Sequence, residues 1–529
     1  MRSLPGGSAL KPANPEALHR LARIRQKQGQ INDARGLYQQ CLSLQPDRVI
    51  SLNNLAVLEM GTGDLETATQ LLQQAWAVLI SQIPAATQPA SGLKEWALVL
   101  NTSCQLALQR ADFVTAKHHA VRLCKVDPGL RSLTNLAVSL AMNQQPRAAI
   151  KAQLLGLGCE PTETTCMDQC IERLLWSSAE QPLLSAERHR QLVNLATFVL
   201  HENPRRRLGW SLLLASLGSD PVAWMTSTPP WRQLWDGQWT TELCIWDEQG
   251  FGDSLQNLRW LPAVAKQTSR LTVLMRPSLL PVLKHRMDLP QHCCLAPLTG
   301  QTRPWERPGQ HLPITALTAV MAGNPIEVCG DAYLRCNRLH DPLKQPLRIG
   351  FAWAAGAKAD AEARRAAALR SVPPQQFLSW IRDLSKALPR ELGRDCHWSC
   401  LQLGPDLVPW GGWLSQQDIS LLNPDGDWHT TATALEPLHA VISVDTAVAH
   451  LAGAMGLPTI TLLNTPCDWR WGQQGSHTPW YDSWVMARCQ TPNAWNGALQ
   501  TAGTALREIL RRCKPPSHES PTRQSRNRR

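Results

Sequence analysis

EALHRLARIRQKQGQINDARGLYQQCLSLQPD (16–47) is followed at once by VISLNNLAVLEMGTGDLETATQLLQQAW (49–76), and the second segment repeats the first at an offset of 34 residues. Ala22 answers to Ala56, Ala34 to Ala68, Tyr38 to Leu72 and Cys41 to Ala75. Self-similarity at this period predicts stacked helical pairs, each unable to bury its apolar face alone. The small residues let the two helices of a pair approach closely. The bulky residue four positions after the second alanine fills the groove to the next pair. Pro46 closes the second helix, because proline cannot continue one.

Working outward, a third copy ends at Pro128 and places Cys104, Ala116 and Leu123 in the small and apolar positions. It is displaced by a 14-residue insertion around IPAATQPASG (83–92). A fourth copy carries Ala137, Ala149 and Pro161. The pattern resembles the tetratricopeptide repeat, over an array expected to span 14–161. Stacked pairs of this kind form a superhelix whose concave face commonly takes peptides or partner proteins. A packing or oligomerisation platform is the other reading of the same pattern. Residues 162–228 continue as helical patterns, a further pair or a bridging segment. TSTPPWRQLWDGQWTTE (226–242), with two prolines, three tryptophans and no helical period, marks the boundary between the helical half of the chain and the C-terminal half.

Composition bounds the remainder. The 529 residues predict two to four domains, and 43% hydrophobic against 18% charged residues is a globular mixture. The net charge of +11 suggests nucleic acid until it is located. The last 19 residues hold seven Lys and Arg against one Glu, and so supply +6 of it. More than half of the excess therefore belongs to this end of the chain, where a basic tail, 514–529, is expected to be disordered and able to reach an anionic membrane surface weakly. No specific nucleic-acid module is recognisable. The 16 cysteines are scattered, with no CxxC pair and no zinc ligand set. The N-terminal MRSLPGGSALKPANPEALHR has no apolar signal-peptide core, so buried free thiols in a reducing, cytoplasmic compartment are expected. The longest apolar stretch, Val441 to Leu463, carries Asp445 and His450, which argues against a membrane span.

In the C-terminal half, short apolar strands alternate with amphipathic helices, the pattern of a parallel α/β sheet. ELCIWDE (242–248) reads as a strand, GFGD (250–253) as a turn, SLQNLRWLPAVAKQ (254–267) as a helix and RLTVLMR (270–276) as the next strand. After a non-periodic stretch near 300–345 the alternation restarts at LRIGFAW (347–353). WSCLQLG (398–404), HAVISV (439–444) and PTITLLN (458–464) supply later strands. Two such units predict two Rossmann-like domains facing a cleft. AGTALREILRRC (502–513) is a helix that could cross back to the first of them.

Two motifs carry chemistry. In Glu248-Gln249-Gly250-Phe251-Gly252-Asp253-Ser254 the glycines permit a tight turn, and the helix that follows offers free N–H groups. Asp253 can be a reactive carboxylate or a plain N-cap. In VISVDTAVAHLAGAMG (441–456) a strand ends at Val444, and Asp445 or Thr446 can cap a small-residue helix. His450, four residues after Thr446, shares its face. Such a helix at the carboxyl edge of a parallel sheet suits a phosphate. A tightly packed core helix with a buried histidine is the alternative.

VISVDTAVAHLAGAMGLPTITLLNTPCDWRWGQQGSHTPWYDS (441–483) closely resembles bacterial glycosyltransferases that join tetratricopeptide repeats to a heptosyltransferase-like catalytic region, glycosyltransferase family 9. The resemblance extends through EQGFGDSLQNLRWLPAV, LRIGFAWAAG, LRSVPPQQF and WSCLQLG, over about residues 229–510. It implies a GT-B fold: an α-helical tetratricopeptide-type solenoid, then an acceptor-side Rossmann-like domain (229–345) and a nucleotide-sugar Rossmann-like domain (346–513). It implies an inverting, metal-independent transfer, with a nucleotide-sugar as substrate, no cofactor, and a glycan or protein acceptor selected partly by the repeats. Asp253 falls on the family's general base. Gly250, Gly252 and Ser254 belong to the same turn. Asp445, Thr446, Ala447 and His450 fall on its donor-phosphate and ribose region. Arg370 and Ser371 match an Arg-Ser pair, Trp353 the Trp of a WAG-type turn, and Gln402 the Gln of an LQKG strand end.

Three departures stand out. Leu403 replaces the usual lysine, the turn reads Trp353-Ala354-Ala355-Gly356-Ala357 without its asparagine, and the loop KADAEARRAAALRS (358–371) is long and alanine-rich. Lys358, Arg364 or Arg365 are the candidates to restore the lost charge. The tryptophans of DWRW (468–471) and PWY (479–481) can wall a donor pocket or pack a core. These losses leave a second reading open: a non-catalytic repeat scaffold with a degenerate nucleotide-binding transferase domain.

Overall fold

A computed structural model describes residues 14–82, 89–162, 166–179, 186–217, 234–302, 304, 307–322, 328–337, 346–356, 361–422 and 427–513. Two compact units divide the chain at Trp176/Ser177, the first also taking Ala359–Glu362.

Helices α1 (Pro15–Lys27) to α8 (Pro146–Gly156) build the first unit. They pair as α1 with α2 (Ile31–Leu44), α3 (Val49–Thr62) with α4 (Leu65–Ser81), α5 (Pro89–Gln109) with α6 (Phe113–Val126), and α7 (Leu130–Met142) with α8. The positions that recur in sequence are the ones the pairs bury. Ala22, Ala34, Tyr38, Cys41, Ala56, Ala68, Ala75, Cys104, Ala116, Ala137 and Ala149 are wholly inaccessible, and Leu72 and Leu123 nearly so. Caps fix the ends: Asn14 accepts from the Glu16 N–H at 2.9 Å, Asp64 from Thr67 at 3.0 Å and Asp112 from Thr115 at 3.1 Å. A forked Arg35–Glu59 pair (2.7 and 2.9 Å) ties α2 to α3. Helix α9 (Met167–Ala179) comes next in the chain.

The second unit opens with a helical hairpin, α10 (Ala186–Glu202) and α11 (Arg207–Leu217), in the segment whose sequence suggests a bridge. Two parallel sheets follow. The first contains β1 (Thr240–Trp246), β2 (Thr268–Met275), β3 (Cys293–Pro297) and β4 (Gln310–Pro313), in the order β3-β2-β1-β4. Its crossover elements are α12 (Phe251–Asn257), α13 (Leu261–Val264) and α14 (Leu280–Arg286), and α15 (Leu317–Met321) follows β4. The second contains β5 (Leu347–Ala352), β6 (Cys396–Cys400), β7 (Ser420–Leu421), β8 (Ala440–Val444), β9 (Thr459–Leu463) and β10 (Trp484–Arg488), in the order β10-β9-β8-β5-β6-β7. Its helices are α16 (Ala361–Arg370), α17 (Pro374–Leu392), α18 (Gly411–Gln416), α19 (Trp428–Leu435), α20 (Ala447–Ala454) and α21 (Trp495–Arg512). Each sheet reverses direction beside its first strand, at β1/β4 and at β5/β8. This is the doubly wound order, which opens a crevice at the carboxyl ends of those strands. The chain is thus a tetratricopeptide-type solenoid followed by two Rossmann-like sheets.

Two sequence expectations need correction. GFGD is not a free turn, because Phe251 already begins α12; the longer helix expected behind it breaks into short pieces around Pro262. The non-periodic stretch near 300–345 holds β4 and α15, elements of four and five residues that are too short to show a period. Helix α21 does not cross back. It packs on β8, β9, β10 and α17, and Trp495, Leu499 and Leu506 join Ile349, Phe351, Ile442 and Ile460 in one core. An amphipathic helix is drawn to the nearest uncovered sheet face. A second core runs from Leu243, Ile245 and Val273 of the first sheet through Leu451 of α20 to Val441 and Trp484 of the second sheet, and joins the two.

The 16 cysteines are thiols rather than disulfides, and burial pushes those of Cys244, Cys400 and Cys489 up to about 12. Among the described residues no helix is long and apolar enough to cross a membrane.

Candidate functional site

A cavity of about 430 Å³ opens at the carboxyl ends of both sheets. The β1–α12 loop and α12 contribute Gln249, Gly250, Phe251, Gly252 and Asp253. The loop after β5 contributes Ala355 and Gly356, and the end of α16 contributes Arg370. The β8–α20 junction contributes Asp445, Thr446, Ala447 and His450, and the loop after β9 contributes Asp468 and Arg470. Arg276, just beyond β2, completes the lining.

The first wall is stapled by Arg276. Its guanidinium grips the inaccessible Asp247 carboxylate at 2.6 and 2.9 Å, donates to the Gln249 carbonyl at 3.1 Å and lies 4.0 Å over the Phe251 ring. Gln249 adopts a left-handed backbone (φ 63°), a strained conformation for a residue with a Cβ that these contacts hold in place. Ser254 is wholly inaccessible, donates to Asp247 and lies 3.2 Å from the Gly250 carbonyl oxygen, so it supports the loop rather than lining the cavity. Glu248 is buried beside it; burial first, then the nearby Asp253 and Asp247 charges, raise its pKa, while a hydrogen bond from Thr315 opposes the shift.

Asp253 accepts from the Gly250 N–H at 2.9 Å and forms an ion pair with Arg470. Arg470 also binds both Asp468 oxygens at 3.0 and 3.1 Å and lies 4.4 Å over the Trp469 ring. Burial would lower the Arg470 pKa, but the Asp253, Asp468 and Asp445 charges raise it.

On the opposite wall Thr446, not Asp445, caps α20, its hydroxyl accepting from the Ala449 N–H at 3.3 Å. The N–H groups of Ala447 and Val448 are left at the helix mouth. Asp445 lies 3.8 Å from Arg370 and 3.8 Å from the His450 imidazole. Burial would raise its pKa, but the neighbouring His450 imidazole and then Arg370 hold it below the usual carboxylate range. His450 is 5% exposed, its Nδ1 2.9 Å from the Tyr481 hydroxyl and its ring packed among Trp471, Tyr481 and Trp484. Gly252 makes this approach possible, because a Cβ there would lie 2.7 Å from His450 Cδ2.

Of the residues singled out in sequence, the structure brings Gly250, Gly252, Asp253, Arg370, Asp445, Thr446, Ala447 and His450 around one cavity. It leaves Trp353, Ser371, Gln402 and Ser254 behind it. Trp353 is 1% exposed, against Phe351 and Phe377. Gln402 accepts from the N–H groups of Trp353 and Ala354 at 3.2 and 2.9 Å, and Ser371 from Ala355 at 3.0 Å. These three shape the loop that presents Ala355 and Gly356. The tryptophans of DWRW and PWY divide: Trp471 and Trp480 are core, and Trp469 packs under Arg470. Lys358 and the Arg365 side chain lie outside the described residues, and Arg364 is exposed and does not line the cavity. Arg276, Arg470 and Asp468 escaped the sequence reading. For Arg470 the available signal was an arginine set between two tryptophans in Asp468-Trp469-Arg470-Trp471. Among the described residues no cluster of His, Cys, Asp and Glu could hold a metal ion.

Family models described as tetratricopeptide repeat match residues 15–48 and 49–80. No curated protein matches the chain. Solved structures similar to it include a glycosyl transferase family 9 protein of Veillonella parvula, at 10% identity over 53% of this chain and 99% of that one, TM-score 0.37. An O-GlcNAc transferase of Thermobaculum terrenum is 13% identical over 94% of this chain and 92% of that one, TM-score 0.30. The APC/C hetero-tetramer Cut9-Hcn1 is 19% identical over 39% of this chain, TM-score 0.28, and there the match spans only 33% of the other chain's length.

Proposed function

We propose that the chain is a glycosyltransferase that moves a sugar from a nucleotide-sugar to the hydroxyl of a glycan or protein acceptor. One observation carries the reading: Asp253, the mouth of α20 and three arginines converge on a single cavity at the carboxyl ends of two doubly wound sheets. A nucleoside diphosphate fits the second wall. Its charge meets the Ala447 and Val448 N–H groups and the macrodipole of α20. Arg370 is the least engaged of the three cations, its side chain 41% exposed and 3.8 Å from Asp445, and it takes over the charge that Leu403 no longer supplies. Asp253, on the first wall, takes the proton of the acceptor hydroxyl as that oxygen bonds the anomeric carbon. The bond from that carbon to the diphosphate oxygen breaks, its electron pair stays on the phosphate, and configuration inverts. The repeats bind the acceptor or a partner protein.

The pairing of Asp253 with Arg470 favours a second reading, a nucleotide-binding domain that no longer transfers. Turnover decides between them. Nucleoside diphosphates should stabilise the full-length protein against heat under either reading. Nucleotide-sugars should be hydrolysed slowly under the first alone, with the rate falling ~100-fold or more in Asp253→Ala. Consumption of no nucleotide-sugar, or unchanged turnover in that variant, removes the transferase reading.

A further inference from the structure

Asp253, the base of the proposed transfer, is not free. It is masked by Arg470, and the same guanidinium faces the cavity that has to receive the diphosphate. Two anions therefore compete for one cation. Arg470 has a second anchor in Asp468, bound through both carboxylate oxygens, and its flat face rests on Trp469. Held on that side, it can turn between Asp253 and a phosphate without leaving the loop after β9. Its partner is equally fixed: the Gly250 N–H keeps the Asp253 carboxylate on the first wall when the ion pair opens.

We propose that Arg470 is a positioning residue that the donor diphosphate draws off Asp253, so that the base is unmasked only when the donor is bound. The inference rests on the nucleotide-sugar reading and adds an order to it, donor first and then acceptor deprotonation. In the empty site the Arg470 guanidinium covers the Asp253 oxygen that an acceptor hydroxyl would have to reach. With a diphosphate present, Arg470 turns to the phosphate oxygens, where its fork suits two of them, and that Asp253 oxygen is open to the acceptor hydroxyl.

The sign of one substitution tests this. Binding of inorganic pyrophosphate and of UDP to the full-length protein is measured by calorimetry at fixed ionic strength. The proteins are the unaltered chain, Asp253→Asn, Arg470→Gln and the double variant. Asp253→Asn removes the competitor and should tighten pyrophosphate about tenfold, whereas Arg470→Gln should weaken it by a similar factor. In the Arg470→Gln background Asp253→Asn should then change affinity less than about twofold, because the gain passes through the arginine. A gain of equal size in both backgrounds reports only a lost negative charge and overturns the proposal, as does a weaker-binding Asp253→Asn. Should Arg470→Gln unfold, Arg470→Lys keeps the charge without the fork and must show a reduced Asp253→Asn gain. If neither probe binds the unaltered chain or Asp253→Asn, the nucleotide-sugar reading falls and takes this one with it. Binding without coupling between the two residues removes this inference alone.

Discussion

Substituting Gly252 by alanine sets two effects of opposite sign against each other in the wall of the site. Gly252 lies in the first turn of α12, where alanine is favoured over glycine by about 0.5–1 kcal/mol through the backbone entropy of the unfolded chain. Were the position open, the variant would be the more stable. The added Cβ, however, would lie 2.7 Å from His450 Cδ2, closer than carbon atoms pack. His450 has nowhere to retreat. It is 5% exposed, anchored to Tyr481 at 2.9 Å, and its ring centroid lies 5.3 to 5.8 Å from those of Trp471, Trp484 and Tyr481. Overpacking of this kind costs about 1–3 kcal/mol. The clash therefore outweighs the propensity, and a net loss of about 1–2 kcal/mol is expected. Denaturant unfolding followed by tryptophan fluorescence reads it directly, because Trp471 and Trp484 flank the histidine. Separating α12 from α20 should also weaken nucleoside-diphosphate binding several-fold. A Gly252→Ala protein as stable as the unaltered chain, with unchanged affinity, would refute the claim that this contact joins the two walls.

Three further outcomes concern buried groups elsewhere. His311 on β4 is buried with neither ring nitrogen hydrogen-bonded among the described residues, and burial lowers its pKa to about 4. The unfolded chain therefore takes up a proton near pH 6.5 while the folded one does not, and stability declines as pH falls from about 6.5 to about 4. Across that window His311→Leu should remove up to ~3 kcal/mol of the decline, measured by urea unfolding at each pH; parallel curves for both proteins would contradict it. Arg286 is 4% exposed and binds Glu436 at 2.6 Å and Thr433 at 2.8 Å, joining α14 to α19. Arg286→Met should cost about 3 kcal/mol by removing the buried counter-ion of that carboxylate, and Glu436→Gln in the same chain should return part of it, both read by urea unfolding. Tyr38 is wholly buried in the first repeat pair, with its hydroxyl on Gln26 at 2.9 Å, so Tyr38→Ala should cost about 3 kcal/mol or more. Limited proteolysis should then cut within α1–α4, and early cleavage after Ser177 instead would tell against the local assignment.

The parts of this protein that repeat at a short period were legible without coordinates. A 34-residue offset with alanine at Ala22, Ala34, Ala56 and Ala68 can be met only by paired helices, and those side chains are the ones with no exposure. Alternation of apolar strands with amphipathic helices likewise announces a parallel sheet, because each crossover must return to the same edge. Motifs that act within one strand–helix turn are equally local. Gly250 to Asp253 and Asp445 to His450 each come from a single turn, and each lines the cavity. Single-residue matches carried less information: Gln402 and Ser371 hydrogen-bond the backbone of the Trp353–Ala355 loop from behind, where sequence cannot tell a lining residue from a supporting one.

Which charges meet in the site was decided by the tertiary structure. Arg276 finds Asp247 across 29 residues, and Arg470 finds Asp253 across 217. No spacing rule reaches that far, because an ion pair needs only proximity in space, and proximity here is set by the order of strands in two sheets and by the core that joins them. Tryptophan shows the same division. Its abundance, 22 residues, is plain in the sequence, but whether a given ring walls a pocket or fills a core depends on which face of the sheet it meets. Trp471, Trp480 and Trp484 meet the core, and Trp469 meets a guanidinium. Helix α21 settles on the second sheet for a related reason: its apolar stripe specifies that it must be covered, and only the folded sheet specifies by what.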